Sequence, residues 1–275
     1  MTIRSALTTA AISVLTAAGC ASWFVPKAKL RGHPLEAQLL AADGSESFDH
    51  GAWARVLGAS AHPESGRVDY AAIPAEVLAS YLDQLAAVDL STLPSDEQKA
   101  LLINAYNAFT IQLIVQQPTL PASIRDIADP WGTAQWTLGG ERVSLDDIEH
   151  ALLRPVYRDP RLHFALNCAS IGCPPLRAEP FVGSRLDEQL DAVTRDTLSR
   201  PQWLSVEGRT VTVTPLLSWY GPDFTAEGWS PNAPSTAAWL AAFGPPAVAE
   251  AVAAGAGIRF SSYDWRLNDL RTPTN

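Results

Sequence analysis

Positive charge is scarce in this chain of 275 residues, in which 20 Lys and Arg stand against 29 Asp and Glu for a formal net charge of −9. A surface that binds nucleic acid needs clustered cations to neutralise phosphates. We therefore expect no nucleic acid among the partners. Only 18% of the residues are charged and 47% are hydrophobic, which is typical of a globular protein rather than a disordered one.

Long apolar runs and the common catalytic motifs are also missing. No stretch of about 18 apolar residues is present, so no transmembrane helix is expected. The chain contains no G-x-S-x-G, H-E-x-x-H, P-loop or G-x-G-x-x-G pattern, so it carries no sign of the sites that those motifs build. The spacing of His163, Cys168 and Cys173 matches no zinc pattern. We expect neither a metal nor a cofactor.

Cysteine occurs only three times, at positions 20, 168 and 173, and the first of these directly follows a segment with the features of a targeting signal. Arg4 precedes a short apolar segment that closes with TAAGC. This order of features resembles the bacterial lipoprotein signal. The resemblance implies that residues 1–19 are removed, that Cys20 is lipidated, and that the mature chain is anchored to the membrane and faces the periplasm or exterior. An ordinary secretory signal cut near Ala18 is the alternative.

The rest of the chain is predicted to be a tether and one domain. Residues 20–48 are mixed and poorly periodic, whereas no convincing linker interrupts residues 49–275. Gly139-Gly140 and Glu207-Gly208 are typical hairpin turns. The fold class predicted from these signals is α+β: a single globular domain with a mainly antiparallel sheet and hairpins, packed by several helices.

One of those helices is expected to be long and buried. Its capping box would pair Ser95 with Gln98, and Pro118 would end it. Apolar residues nearly encircle the helix, so it should be covered on most sides. Asn104 and Asn107 share one face of it. Each amide either cross-links neighbouring backbone or lines a site, and the sequence leaves both readings open.

Chemistry concentrates in LHFALNCASIGCPPL, residues 162–176. Cys168 and Cys173 flank a turn that Gly172 permits, so the two sulfurs can meet. In an oxidising compartment a Cys168–Cys173 disulfide is at least as plausible as a free, nucleophilic Cys168 thiolate. A thiolate would need an imidazole or a helix N-terminus near it.

Two histidines compete for the role of that imidazole. RLHFALNC, residues 161–168, predicts a strand, in which His163 and Cys168 would point to opposite faces because their separation is odd. This favours His150, placed at the end of a helix capped by Ser144. Glu149, Asn104, and Asn107 would then orient the base or stabilise an oxyanion. Alternatively, His163 is a core histidine and His150 only interacts with its helix dipole.

Several segments, in order, resemble the family catalogued as domain of unknown function 547. They are INAYNAFTIQLI, SIRDI, VSLDDIEHALLRPVYRDPRLHFALNCASIGCPPL, LDEQLDAVTRDTL, LLSWYGPDF and YDWRLND, spread over roughly residues 50–268. The resemblance implies a bacterial envelope member and no established reaction. Plant members keep the residues that match Glu149, His150 and Cys168 but replace those that match His163 and Cys173, which favours a shared chemistry at Cys168 and His150.

Three functions remain open from the sequence. The first is a lipid-anchored, cysteine-dependent hydrolase or acyl/peptidyl transferase that acts on an amide-like envelope substrate, with Cys168 as nucleophile and His150 as base. The second is a non-enzymatic binding or assembly module stapled by a Cys168–Cys173 disulfide. The third, a minor reading, makes the cysteine pair a thiol–disulfide redox centre. We favour the first.

Overall fold

The computed structural model describes residues 32–40 and 44–273. The predicted signal segment, its cleavage site and Cys20 all lie outside these residues. Within the described ranges, no helix combines the length and the apolar character that a membrane crossing requires.

Helices make up most of the fold. They are α1 (Pro34–Leu40), α2 (Gly51–Ser60), α3 (Ala75–Ala87), α4 (Ser95–Val115), the π-helix Asp147–Leu153 with its continuation α5 (Arg154–Tyr157), α6 (Leu162–Ala165), α7 (Leu186–Leu198), α8 (Leu216–Trp219), α9 (Gly221–Thr225), α10 (Thr236–Phe243) and α11 (Pro246–Ala253). The break between α10 and α11 covers Gly244 and Pro245, because proline fits the first turn of a helix and disfavours its interior.

The strands form small sheets between the helices. Two short antiparallel pairs are β1 (Ala61–His62) with β2 (Arg67–Val68), and β3 (Trp136–Leu138) with β4 (Glu141–Val143). A third sheet has the order β5 (Leu204–Glu207), β6 (Thr210–Val213), β7 (Gly257–Phe260), antiparallel between β5 and β6 and parallel between β6 and β7. The predicted α+β class, with helices packed on mainly antiparallel strands, is confirmed.

Both predicted hairpins are present. Gly139 and Gly140 join β3 to β4 with φ angles of +54° and +80°, which fit a tight hairpin turn. The second turn lies one residue later than predicted, at Gly208-Arg209, and Gly208 has a φ of +56°. Glycine suits these positions because a side chain disfavours positive φ.

Helix α4 runs through the centre of the domain, as its apolar circumference predicted. Every residue from 97 to 111 is buried. The predicted capping box is wrong, however: Pro94 occupies the N-cap position, and the side chain of Gln98 donates to the carbonyl of Leu90 at 2.6 Å. A buried amide needs a partner, and the preceding turn provides one.

The predicted strand at 161–168 is a second correction. Leu162–Ala165 form helix α6, and the chain becomes extended only at Leu166. A short apolar run that is buried throughout has no periodicity to separate a strand from a helix. The strand argument that set His163 and Cys168 on opposite faces therefore fails.

His150 does not end a helix either. It lies inside the π-helix, which continues through α5 to Tyr157 despite Pro155. The backbone N–H of Arg154 donates to the carbonyl of Glu149, five residues back, so the helix widens just before the proline. The predicted cap is confirmed: Ser144 and Asp147 exchange backbone and side-chain hydrogen bonds of 2.8 and 3.0 Å.

Part of the predicted tether packs on the domain. Within residues 20–48, the segment Pro34–Leu40 forms α1, and its Leu35 and Leu39 are buried. The backbone N–H of Phe48 donates to the carboxylate of Glu97 at the start of α4. Burial of these leucines stabilises a segment whose sequence has little periodicity of its own.

We expect Phe164→Ala to lower the free energy of unfolding by about 3–5 kcal/mol, because truncating a large buried ring leaves a cavity. Phe164 is 0% exposed and lies parallel to the ring of Trp239, with 5.8 Å between centroids. Leu40, 70% exposed, is the control, and Leu40→Ala should change stability by less than about 0.5 kcal/mol. Urea denaturation under non-reducing conditions measures both, and equal losses would contradict this account of the core.

Candidate functional site

A cavity of about 240 Å³ lies where four parts of the chain meet. They are the π-helix, the loop that carries Cys168 and Cys173, helix α8 and the segment after β7. Aromatic rings, carboxylates, two histidines and two sulfurs face it. Its lining consists of Tyr106, Asp129, Trp131, Asp146, Glu149, His150, His163, Leu166, Cys168, Cys173, Pro174, Leu216, Trp219, Tyr220, Tyr263 and Trp265. Four of the six residues predicted to be catalytic are among them; Asn104 and Asn107 are not.

Cys168 and Cys173 form a disulfide on the wall of this cavity, with their Cα atoms 6.2 Å apart. The backbone N–H of Cys173 donates to the carbonyl of Ser170, which closes the turn between them. Cys168 is half-buried, whereas Cys173 is 3% exposed. The disulfide alternative is therefore confirmed, and in this form Cys168 is not a thiolate.

Hydrogen-bond donors converge on the two sulfurs. The backbone N–H of Cys168 lies 2.8 Å from the Sγ of Cys173, and the hydroxyl of Tyr263 lies 3.1 Å from both sulfurs. Burial, with the nearby charges of Glu149 and Asp264, raises the pKa of Tyr263, so its hydroxyl stays protonated. Among the described residues, no imidazole nitrogen lies within hydrogen-bond distance of either sulfur.

Asn104 and Asn107 brace backbone rather than line the cavity. The Asn107 amide donates to the carbonyl of Ala165 at 2.9 Å and accepts from the N–H of Asn167 at 2.8 Å. Asn104 makes the same reciprocal pair with the backbone of Phe181, at 2.7 and 3.0 Å. Both amides thus follow the cross-linking alternative, and Asn107 acts on Cys168 only by holding the chain beside it.

Further amides fix the chain after Cys168. Asn167 accepts from the N–H of Ala169 at 2.9 Å and donates to the carbonyl of Pro174 at 2.8 Å. The backbone N–H of Asn268 donates to the carbonyl of Ala169. Ala169 has a φ of +59°, a left-handed conformation that costs a residue with a side chain about 1–3 kcal/mol. The strained residue follows the half-buried sulfur directly.

Of the two histidines that line the cavity, His163 is the one with a carboxylate at hydrogen-bond distance. Its Nε2 lies 2.8 Å from Asp223, and its ring stacks on Tyr220 at 3.8 Å. Arg154 donates twice to the same carboxylate, at 2.7 and 2.9 Å. Burial lowers the pKa of His163 although the Asp223 hydrogen bond opposes this, so the ring is neutral with its proton on Nε2. The Asp223 carboxylate remains charged, since its bonds to His163 and Arg154 outweigh its burial and lower its pKa.

His150, the base favoured by the sequence, faces the cavity in a different setting. Its Nδ1 lies 3.0 Å from the guanidinium of Arg154, which can only donate, so Nδ1 is an acceptor. The carboxylates of Asp146 and Glu149 are each 3.8 Å from the ring. His150 therefore shares the cavity with the sulfurs without contacting them.

Glu149 is a charged group at the buried end of the cavity, with a side chain only 10% exposed. Burial disfavours its charged form, but the guanidinium of Arg154 and a hydrogen bond from Tyr220 outweigh that cost and lower the pKa of Glu149. The hydroxyl of Tyr106 also bonds to it. The sequence predicted that Glu149 orients His150. In the structure the two side chains are 3.8 Å apart, so Glu149 makes an electrostatic contact with the ring and no hydrogen bond.

Arg154, Asp223 and Tyr263 were not predicted from the sequence. Asp223 and Tyr263 are remote in the chain from the cysteine pair, whereas Arg154 lies in the same family-like segment as His150 and the cysteines. The available signal was that Asp223 and Tyr263 belong to LLSWYGPDF and YDWRLND, two of the segments that carry the family resemblance. Within the described ranges, no group of three or more His, Cys, Asp or Glu residues is arranged to hold a metal ion.

A comparison with protein families supports that resemblance. Residues 90–198 match the family model described as protein of unknown function DUF547. The matched segment runs from the turn before α4 to the end of α7 and includes the π-helix and the cysteine pair. No curated protein and no solved structure gives a significant match to the chain.

The lowered pKa of His163 gives stability a pH dependence of defined sign. Near its ordinary pKa of 6.5, the unfolded chain binds a proton at this ring while the folded chain does not, so acid favours unfolding. We expect the free energy of unfolding to fall as pH drops below about 6.5, by at most about 1.4 kcal/mol per pH unit from this ring, until the folded pKa is reached.

His163→Asn should make that slope shallower, whatever it does to stability at neutral pH. Urea denaturation of both proteins between about pH 7 and pH 5.5 measures the difference. Equal slopes would show that His163 does not resist protonation.

Proposed function

We propose that this chain is an envelope thiol–disulfide exchange enzyme whose reacting group is the Cys168–Cys173 pair. The observation that carries the proposal is the set of donors on the sulfurs: the Cys168 N–H at 2.8 Å and the Tyr263 hydroxyl at 3.1 Å. Donors aimed at a sulfur stabilise the thiolate that forms when the disulfide opens. The open cavity beside Cys168 supports access of a substrate thiol.

The exposures of the two sulfurs support an order of steps. A substrate thiolate attacks the Sγ of Cys168, which is half-buried, and the bond to the more buried Cys173 breaks. Cys173 leaves with the electron pair as a thiolate, held by the Cys168 N–H and by Tyr263. A second substrate thiolate then attacks the substrate sulfur of the mixed disulfide, and Cys168 leaves as a thiolate.

The products balance. The substrate dithiol becomes a disulfide, and the cysteine pair becomes two thiols that take up the two substrate protons through solvent. A disulfide-bearing partner reoxidises the pair by the reverse exchange, which closes the cycle. These steps do not require His163 as a base. This agrees with its hydrogen bond to Asp223 rather than to either sulfur.

A cysteine-dependent hydrolase or acyl transferase is the second candidate. The feature that favours it is the His163–Asp223 pair, oriented by Arg154 and facing the same cavity, which has the form of a base with its carboxylate. This chemistry requires the reduced chain and a movement of the Cys168 side chain to the imidazole. The exchange reaction needs no such movement and is therefore preferred.

We further propose that the mature chain is a lipoprotein of the bacterial envelope, anchored through Cys20. The TAAGC signal supports this, and an oxidising compartment agrees with a standing disulfide. In a bacterial host, Cys20→Ser should move the protein from the membrane fraction to the soluble one while Cys173→Ser does not. Retention of Cys20→Ser in the membrane would contradict lipid anchoring at that residue.

Trapping of a mixed disulfide tests the exchange reaction. In a Cys20→Ser background, we expect Cys173→Ser to accumulate a mixed disulfide between Cys168 and a peptide with a single cysteine, supplied in excess as its symmetrical disulfide: the Cys168 thiolate takes one peptide, the other leaves as a thiolate, and neither Cys173 nor a second peptide thiol in the adduct can displace the bound peptide. Cys168→Ser should accumulate none. Intact-mass spectrometry after acid quenching measures the adduct.

The rate at which a dithiol reduces the Cys168–Cys173 disulfide tests Tyr263. Tyr263→Phe removes a hydrogen bond to a developing thiolate, worth about 1.5–3 kcal/mol, so it should slow reduction of the disulfide by a dithiol about 10- to 100-fold. Tyr157→Phe is the matched control, because the Tyr157 hydroxyl contacts Gln98 and does not face the cavity. Its rate should equal that of the parent chain.

The alternatives predict different results. If no adduct forms and reduction only lowers the denaturation midpoint, the pair is a staple of a binding or assembly module. If the reduced chain cleaves amides and both Cys168→Ser and Asp223→Asn abolish cleavage, the hydrolase is the correct candidate.

A further inference from the structure

We infer that the cavity binds an alkylammonium group, such as a lysine side chain, carried by the thiol substrate. The inference rests on the proposed function for the identity of the reacting group, but the cation site itself is argued from charge and aromatic surface alone.

Charge is the first observation. Three carboxylates line the cavity, Asp129, Asp146 and Glu149, and no Lys or Arg is among its described lining residues. Two guanidinium groups lie close by: Arg154 is held by both oxygens of Asp223, and Arg125 lies 5.3 Å from the centroid of the Trp265 ring. With Arg154 paired to Asp223, the three lining carboxylates outnumber the fixed cations beside them, and a positively charged guest would be attracted.

The three carboxylates also differ in how far their side chains are exposed to solvent. Asp129 is exposed, the Asp146 side chain is 44% exposed, and the Glu149 side chain is 10% exposed. Asp146 directly precedes the π-helix and Glu149 lies within it, and both line the cavity. A primary ammonium has three donors, which suits a row of carboxylate acceptors that leads inward.

Aromatic rings also line the cavity. Trp131, Trp219 and Tyr263 each contact Trp265, with centroid distances of 6.1, 6.0 and 4.5 Å, and all four line the cavity half-buried. The face of an aromatic ring attracts a cation, most strongly in tryptophan. Such rings also cover the methylene stem of a lysine, so both parts of that side chain find complementary surface.

Tyr263 connects this cation site to the reactive sulfurs. Its ring packs on Trp265 and on Trp219, while its hydroxyl lies 3.1 Å from both Cys168 and Cys173. A substrate whose ammonium occupies the aromatic and acidic part of the cavity would thus present a nearby thiol to Cys168.

Ligand-observed NMR with n-butylammonium tests the site on the full, oxidised chain. The neutral isostere n-butanol and the anion butyrate are the comparison probes. We expect saturable binding of n-butylammonium, at least tenfold weaker binding of n-butanol, and none of butyrate. Asp146→Asn should weaken n-butylammonium binding about 3- to 10-fold and Glu149→Gln at least tenfold.

Glu250→Gln is the charge-matched control, because Glu250 is exposed on α11 and does not line the cavity. Its affinity should equal that of the parent chain. If Glu149→Gln fails to fold, the half-exposed Asp146 still decides the outcome. Equal binding of n-butanol and n-butylammonium, or tighter binding of a neutral sugar such as N-acetylglucosamine, would overturn the inference.

A separate arm distinguishes this inference from the exchange proposal. The same titrations are repeated on Cys168→Ser, since binding of n-butylammonium requires no reactive sulfur. If Cys168→Ser binds n-butylammonium and the parent chain shows no disulfide exchange, the cation site stands and only the proposed function is refuted. In the kinetic arm, a cysteine peptide flanked by lysine should react about tenfold faster than one flanked by glutamate. That preference should shrink in Asp146→Asn; its absence from the parent chain would refute substrate selection by charge.

Discussion

The amide of Asn107 is the interaction on which the candidate site depends. It projects from the buried helix α4 and satisfies both the carbonyl of Ala165 and the N–H of Asn167, on either side of Leu166. Within the part of the chain that the structure describes, residues 165–167 pair with no strand, so a side-chain amide does what a sheet ladder would otherwise do. Past Cys168, the side chain of Asn167 and the backbone N–H of Asn268 hold Ala169, which allows a left-handed alanine and a cavity-facing sulfur in a loop.

The charges under the cavity form a second, linked constraint. Arg154 donates two hydrogen bonds to Asp223 and one to His150. Asp223 in turn accepts a hydrogen bond from His163. Buried charges persist only when such bonds replace water. Because Arg154 is already committed, the carboxylates that face the cavity keep an excess of negative charge. The same network that makes burial tolerable thus gives the cavity its preference for a cation.

Prediction from the sequence succeeded where a local rule decides the structure. The paired glycines of the first hairpin, the cap of the π-helix at Ser144 and the burial of α4 follow from turn chemistry, capping and an apolar circumference. It failed at residues 161–168, since a run that is buried throughout carries no periodic signal. It also placed His150 at a helix end, because Pro155 ordinarily stops a helix; a π-type bond to Glu149 accommodates the proline instead.

By itself, the sequence predicted a candidate site around residues 162–176 and determined that Cys168 and Cys173 can bond, because a separation of five positions with a glycine between them lets two sulfurs meet. Only the tertiary structure decided what surrounds them. Tyr263 and Asp223 are distant from the cysteines along the chain, and their approach depends on the packing of separate segments around α4. Local patterns report which residues a segment buries, whereas the partners that meet in a cavity are set by long-range packing, which no local pattern encodes.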